Sequence, residues 1–113
     1  MAFALRILRL CREQRKTGDE GRDIARQLLR SGTSVAANYR AAGRGRSKSE
    51  FIAKLGIVEE EADETQFWLE LIIRAETVKP SRVKPLLDEA TEVVAIVSAS
   101  KRSAKRKKPD IAH

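Results

Sequence analysis

Residues 59–64, EEEADE, place five acids in six positions. Carboxylates at that density raise the question of a metal, because di-iron bundles use inward-facing glutamates with a Glu-x-x-His pair. The only histidine is His113, and Glu59, Glu60 and Glu61 point around a helix instead of converging. The expectation is an acidic helix face, with no metal and no cofactor. Nucleophilic chemistry fares no better. Ser31 and Ser34 have no histidine within reach, and Cys11 has no evident base. Cys11 recurs with Ala4, Ile7 and Leu8 at helical spacing, which suits a buried, reduced thiol. The stretch GRGRSKS fails as a phosphate loop. It lacks the Gly-Lys-Ser/Thr ending of a Walker motif and has Lys48 where a dinucleotide loop needs a third glycine. An enzyme is not expected.

Binding of a polyanion has more behind it. Residues 101–108, KRSAKRKK, hold six basic side chains in eight: Lys101, Arg102, Lys105, Arg106, Lys107 and Lys108. Arg40, Arg44, Arg46 and Lys48 form a second basic cluster. Such groups bind phosphate by counterion release and carry little sequence information. No RNA-recognition, KH or helix-turn-helix signature accompanies them, so RNA or DNA would be bound without choice of sequence. The competing reading is a solubilising terminus on a purely structural or protein-binding assembly. The net charge of +7 is uneven: residues 1–16 carry +4, 17–46 carry +3, 47–78 carry −5 and 101–113 carry +5.

The elements that must position these groups are helices. At 113 residues the chain is one domain, and the periodicity predicts four helical segments with no strand. The first covers Phe3 to Lys16. Thr17 and Glu20 then have capping-box spacing, with Asp19 as a competing N-cap. The second starts near Asp19 and runs to Ala42. Ser47 and Glu50 form a further capping box before the third, which extends to about Val78. Its residues Phe51, Leu55, Val58, Ala62, Thr65, Leu69 and Ile72 alternate steps of four and three, which is a heptad seam. The fourth covers Val83 to Lys101 with a stripe of Val83, Leu87, Ala90, Val94 and Val97. Short connections make neighbours antiparallel. The predicted fold is all-α, an antiparallel up-down four-helix bundle over residues 1–100, with a disordered basic C-terminal tail over 101–113. No apolar run approaches the ~20 residues that span a bilayer, and a cytoplasmic protein without membrane contact is the expectation.

RSGTSVAANYR, residues 30–40, is rich in turn formers, yet the seam from Ile24 and Leu28 continues through Ser31, Val35, Asn38 and Ala42. The register predicts helix, with Ser31 and Asn38 facing the core and Thr65 as their partner. The alternative is a helix break at SGT. On the third helix a second apolar group faces away from the seam: Ile57, Phe67, Trp68 and Leu71, accompanied by Glu60 and Glu64. Exposed apolar clusters mark interfaces, and this one suits a basic partner surface. A head-to-tail homo-oligomer is the reading, with core packing as the alternative for Trp68.

QLLRSGTSVAANYRAAGR, SKSEFIAKLGIVEEEADETQFWLELI and the basic tail together resemble the bacterial four-helix bundle proteins of the S23 type. These are associated with intervening sequences in large-subunit ribosomal RNA genes. The resemblance covers the chain to about residue 100. It implies an antiparallel four-helix bundle assembled into rings of five, no established enzymatic activity, and similarity to the accessory protein of diversity-generating retroelements. That protein partners a reverse transcriptase, so a protein partner is also implied. Many members carry Glu where this chain has Ala41.

Overall fold

The computed structural model describes residues 1–106, and four α-helices account for nearly all of them. They are α1 (Ala2–Arg15), α2 (Asp19–Ala42), α3 (Lys48–Ala75) and α4 (Pro80–Arg106). Contacts join α1 to α2, α2 to α3, α3 to α4, and α4 back to α1. The helices therefore stand at four corners, with α1 and α3 on one diagonal. The body measures 59 × 20 × 19 Å. No described helix is long and apolar enough to cross a membrane.

Local chemistry fixes the breaks. Gly18 supplies φ 121° at the α1–α2 turn, a conformation that side-chain-bearing residues resist. The expected Thr17–Glu20 capping box does not form. Gly18 is the N-cap residue of α2, and the Thr17 hydroxyl instead donates to the Gln14 carbonyl at 2.7 Å. The second capping box has its cap in place, with the Glu50 amide donating to Ser47 Oγ at 3.1 Å. Glu76 ends α3 in the left-handed region, where its amide donates to the Ile72 carbonyl.

The predicted seam of α3 is its buried stripe: Leu55, Val58, Ala62, Thr65, Leu69 and Ile72 are buried, with Phe51 half-buried at the edge. On α4 the buried residues are Val83, Leu86, Ala90 and Val97, and the expected Leu87 and Val94 lie half-buried beside them. α2 passes through SGTS without interruption. Its Ser31 is fully buried, and so is Thr65, whose hydroxyl lies within hydrogen-bond distance of Ser31 Oγ at 3.0 Å and of the Glu61 carbonyl at 2.7 Å. The Ser31 hydroxyl donates to the Leu28 carbonyl at 3.3 Å. Asn38 departs from the expected cluster. It is half-buried and bonds to the Ser34 carbonyl and hydroxyl, each at 3.0 Å, because a partner four residues back on its own helix is nearer than any across the core.

The Ser31–Thr65 pair sits between two apolar cores. One gathers Ile7, Leu10, Cys11, Leu28, Leu69, Ile72, Val83 and Leu86 near the α1–α2 and α3–α4 turns. The other holds Val35, Ala42, Leu55, Val58, Ala62 and Val97 near the α2–α3 turn. Beside the pair, Gly32 lets Ile7 approach so closely that a Cβ there would lie 2.8 Å from Ile7 Cγ2.

The expectation that the chain leaves the bundle at residue 101 is corrected. α4 continues to Arg106, because Glu59 of α3 anchors it. Lys101 Nζ lies 2.6 Å from Glu59 Oε1, and the Ser98 hydroxyl donates to Glu59 Oε2. An apolar-content argument overlooks such a polar anchor. Residues 107–113, including Lys107 and Lys108, lie outside the described residues.

Two tests follow from this packing. Thr65→Val removes the partner of Ser31 across the core, leaving the Ser31 hydroxyl its bond to the Leu28 carbonyl at 3.3 Å, and should lower stability by about 1 kcal/mol. Adding Ser31→Ala should return part of that loss in urea unfolding, because no buried hydroxyl then faces the introduced methyl group. The second concerns pH. Hydrogen bonds from Lys101 and then Ser98 hold the Glu59 carboxyl below its ordinary value. Their stabilisation is therefore present above the usual glutamate range and is lost as pH falls through the lowered value. Amide protection factors in residues 101–106 should fall on acidification through and below the usual glutamate range, and Glu59→Gln should show low protection there already at pH 7.

Candidate nucleic-acid interface

The antiparallel register brings the two basic clusters of the sequence to one end of the bundle. Val97, a single turn before Lys101, shares a core with Ala42 and Leu55. The end of α2, the start of α3 and the end of α4 therefore terminate together. Arg40, Arg44 and Arg46 line a cavity of about 710 Å³ with Ala37, Ala41, Glu50 and Lys54. The small side chains of Ala37 and Ala41 leave that space open. Lys48 is exposed in the first turn of α3. Arg102, Lys105 and Arg106 are exposed on the last turns of α4, while Lys101 is half-buried in its pair with Glu59. Lys54 belongs to this group and escaped sequence reasoning. The signal was available, since an antiparallel α2–α3 hairpin places residues equally far from its turn side by side.

Charge is concentrated here. Residues 40–59 and 98–106 contain nine basic and two acidic side chains, a balance of +7. The other described residues, 1–39 and 60–97, contain twelve basic and thirteen acidic, a balance of −1. Elsewhere acidic side chains offset the cations in number, and several pair directly: Arg6 with Glu89, Arg22 with Asp19, Arg26 with Asp23, Arg82 with Glu13, and Lys84 with Asp88. Arg30 of α2 reaches both Glu61 and Glu64 of α3. Exposed pairs of this kind add little stability, but they cancel field. At the α2–α3 end, Arg40, Arg44, Arg46 and Lys54 make no ion pair among the described residues, and their field remains for a ligand.

The acidic group of α3 is thereby divided. Glu59 turns to α4, and Glu61 and Glu64 turn to α2. The Glu64 carboxyl is held below its ordinary value by Arg30 and by Trp68, whose Nε1 donates to it at 3.1 Å. Trp68 is half-buried against the larger core, so it packs inward while its indole nitrogen binds the rim. Leu71 is also half-buried. Ile57 and Glu60 remain exposed, and Phe67 is 57% exposed, resting edge-on against Trp68 with ring centroids 4.9 Å apart.

The arrangement can hold a polyanion. Among the described residues, no group of three or more His, Cys, Asp or Glu side chains is placed to hold a metal ion. The Cys11 thiol is buried, donates to the Ala25 carbonyl at 3.4 Å, and is pushed up to about 11 by burial, which keeps it protonated at neutral pH.

Comparison with known proteins agrees with this architecture. No curated protein matches the chain. A solved structure of a protein of unknown function from the S23 ribosomal protein family, from Bacteroides thetaiotaomicron VPI-5482, is similar with a TM-score of 0.81 and 34% sequence identity. The match covers 89% of this chain and 93% of that one. Residues 1–99 match the family described as 23S rRNA-intervening sequence protein. With four helices in that arrangement and a match running from the first residue of α1 to the last turns of α4, the chain belongs to the 23S rRNA-intervening sequence protein family.

Proposed function

We propose that this protein is a non-enzymatic, self-associating scaffold that binds nucleic acid through the α2–α3 end of its bundle. The observation that carries the reading is the +7 balance gathered there against −1 over the other described residues. Phosphates are the natural partner of guanidinium groups set around an open cavity, since arginine contacts them in a bidentate manner. The family takes its description from intervening sequences of 23S rRNA, so RNA is the first polyanion to try. Cytoplasmic residence goes with that ligand. The helical state of residues 101–106 changes the expected mode of binding. Arg102, Lys105 and Arg106 are presented on a fixed helix, so they meet phosphates without the ordering cost a flexible arm incurs.

The second reading is a structural or protein-binding assembly in which the charge serves solubility. The exposed Phe67 favours it, because burial of such a side chain is worth about 1.5–3 kcal/mol. A protein partner, a reverse transcriptase among them, belongs with either reading, and so does a ring of five as the resemblance implies.

Salt dependence separates the two. Arg40→Gln, Arg44→Gln and Arg46→Gln combined should flatten the plot of log affinity against log salt by ~0.9 for each duplex phosphate that is no longer neutralised. The combination Arg102→Gln, Lys105→Gln and Arg106→Gln should flatten it independently. All six side chains are exposed, so the fold should persist. Absence of binding to RNA and DNA at low salt would assign the protein to the second reading. Unchanged slopes in both combinations would move the interface elsewhere.

A further inference from the structure

The self-association in the proposed function needs two surfaces that fit each other, and the bundle carries such a pair on opposite sides. The first is the outer face of α3. Phe67 projects there, with Ile57 exposed three turns earlier. Around it stand Glu60, Asp63 and Glu70, all exposed and none in an ion pair among the described residues. The second surface is an apolar groove of about 720 Å³. Phe3 and Ala4 of α1, Val35 and Ala36 of α2, and Val93 of α4 line it, and the exposed Tyr39 and Ile96 form its lips. Arg40 lies on its rim. On the outer side of α1 the exposed Leu5, Arg9 and Arg12, followed by the C-cap residue Lys16, form a stripe in which the three cations have no ion pair among the described residues either.

We infer that the groove receives Phe67 of a second copy, with the acidic surroundings of that α3 laid against the cationic stripe of α1. Three observations select this occupant. The knob and the groove are both apolar, and their surroundings have opposite charge. α1 and α3 occupy diagonal corners, so one molecule cannot bring its own Phe67 to its own groove. Pairing like with like would set Glu60, Asp63 and Glu70 against the same residues of the partner, and like charges repel. The contact is therefore heterologous, each copy giving one face and receiving at the other. This rests on the self-association reading and specifies which surfaces carry it.

Two single variants and their mixture test the pairing. Phe67→Glu damages only the knob, and Ile96→Glu damages only the lip of the groove. Both positions are more than half exposed, and circular dichroism should show unchanged helicity. Light scattering should find an oligomer for the parent chain and monomers for each variant. Mixed in equal amounts at high concentration, the variants should form a particle of twice the monomer mass and nothing larger. One intact groove then meets one intact knob, and the chain of contacts stops there. If the parent assembles and Ile96→Glu assembles equally well, the groove is not the acceptor, although self-association stands. A mixture that stays monomeric at every concentration overturns the pairing in the same way. A parent that is monomeric at high concentration overturns both the pairing and the self-association reading.

Discussion

The hydrogen bond between Ser31 and Thr65 sets the register of the bundle. Apolar seams alone permit α2 and α3 to slide by a heptad, because one Val or Leu resembles the next. Two buried hydroxyl groups oppose it, since either one set against a methyl group would lose its partner across the core and keep only a carbonyl of its own helix. With those positions opposed, Arg30 falls beside Glu61 and Glu64. Arg40, Arg44 and Arg46 fall beside Lys54. The concentration of charge at one end is thus downstream of a single polar contact in the middle.

The same register resolves the cost of placing five acids in six positions. Like charges four apart disfavour a helix by about 0.2–0.5 kcal/mol a pair, and EEEADE contains two such pairs, Glu59 with Asp63 and Glu60 with Glu64. Glu59 meets Lys101 and Ser98 on α4, while Glu61 and Glu64 share Arg30 on α2. The acidic run acts as a clasp between its two neighbours, and of its five carboxylates only Glu60 and Asp63 face outward without a partner among the described residues.

Much of this was legible in the sequence, for definable reasons. The α3 seam alternates steps of four and three without a break, so periodicity alone places its buried stripe. The passage of α2 through SGTS could be read because Ser31, Val35, Asn38 and Ala42 all keep the phase of Leu28, turn formers included. Less legible was any choice between competing hydrogen bonds. Asn38 has the phase of a core residue but takes Ser34 on its own helix. Thr17 has the spacing of a cap but bonds backward to Gln14. Gln14 itself is fully buried, its side-chain carbonyl accepting from Thr77 at 2.8 Å, although nothing nearby in sequence marks it. The end of α4 was missed because its anchor, Glu59, stands 42 residues from Lys101. At the candidate site, composition revealed the two basic clusters, whereas their meeting at one end required the fold.

The division of the apolar interior has a dynamic meaning. The core near the α1–α2 turn carries Leu and Ile side chains from all four helices, but the core beneath the cationic end is built from Val, Ala and one Leu on three. Less apolar surface is buried there, and a polar layer separates it from the larger core. Opening of that end can proceed while the remainder stays folded, as cooperative subunits of a protein often do. The cationic end is thus the half of the bundle anchored by less buried apolar surface, where the spacing of Arg40, Arg44 and Arg46 can change at the least cost to the packing of the rest.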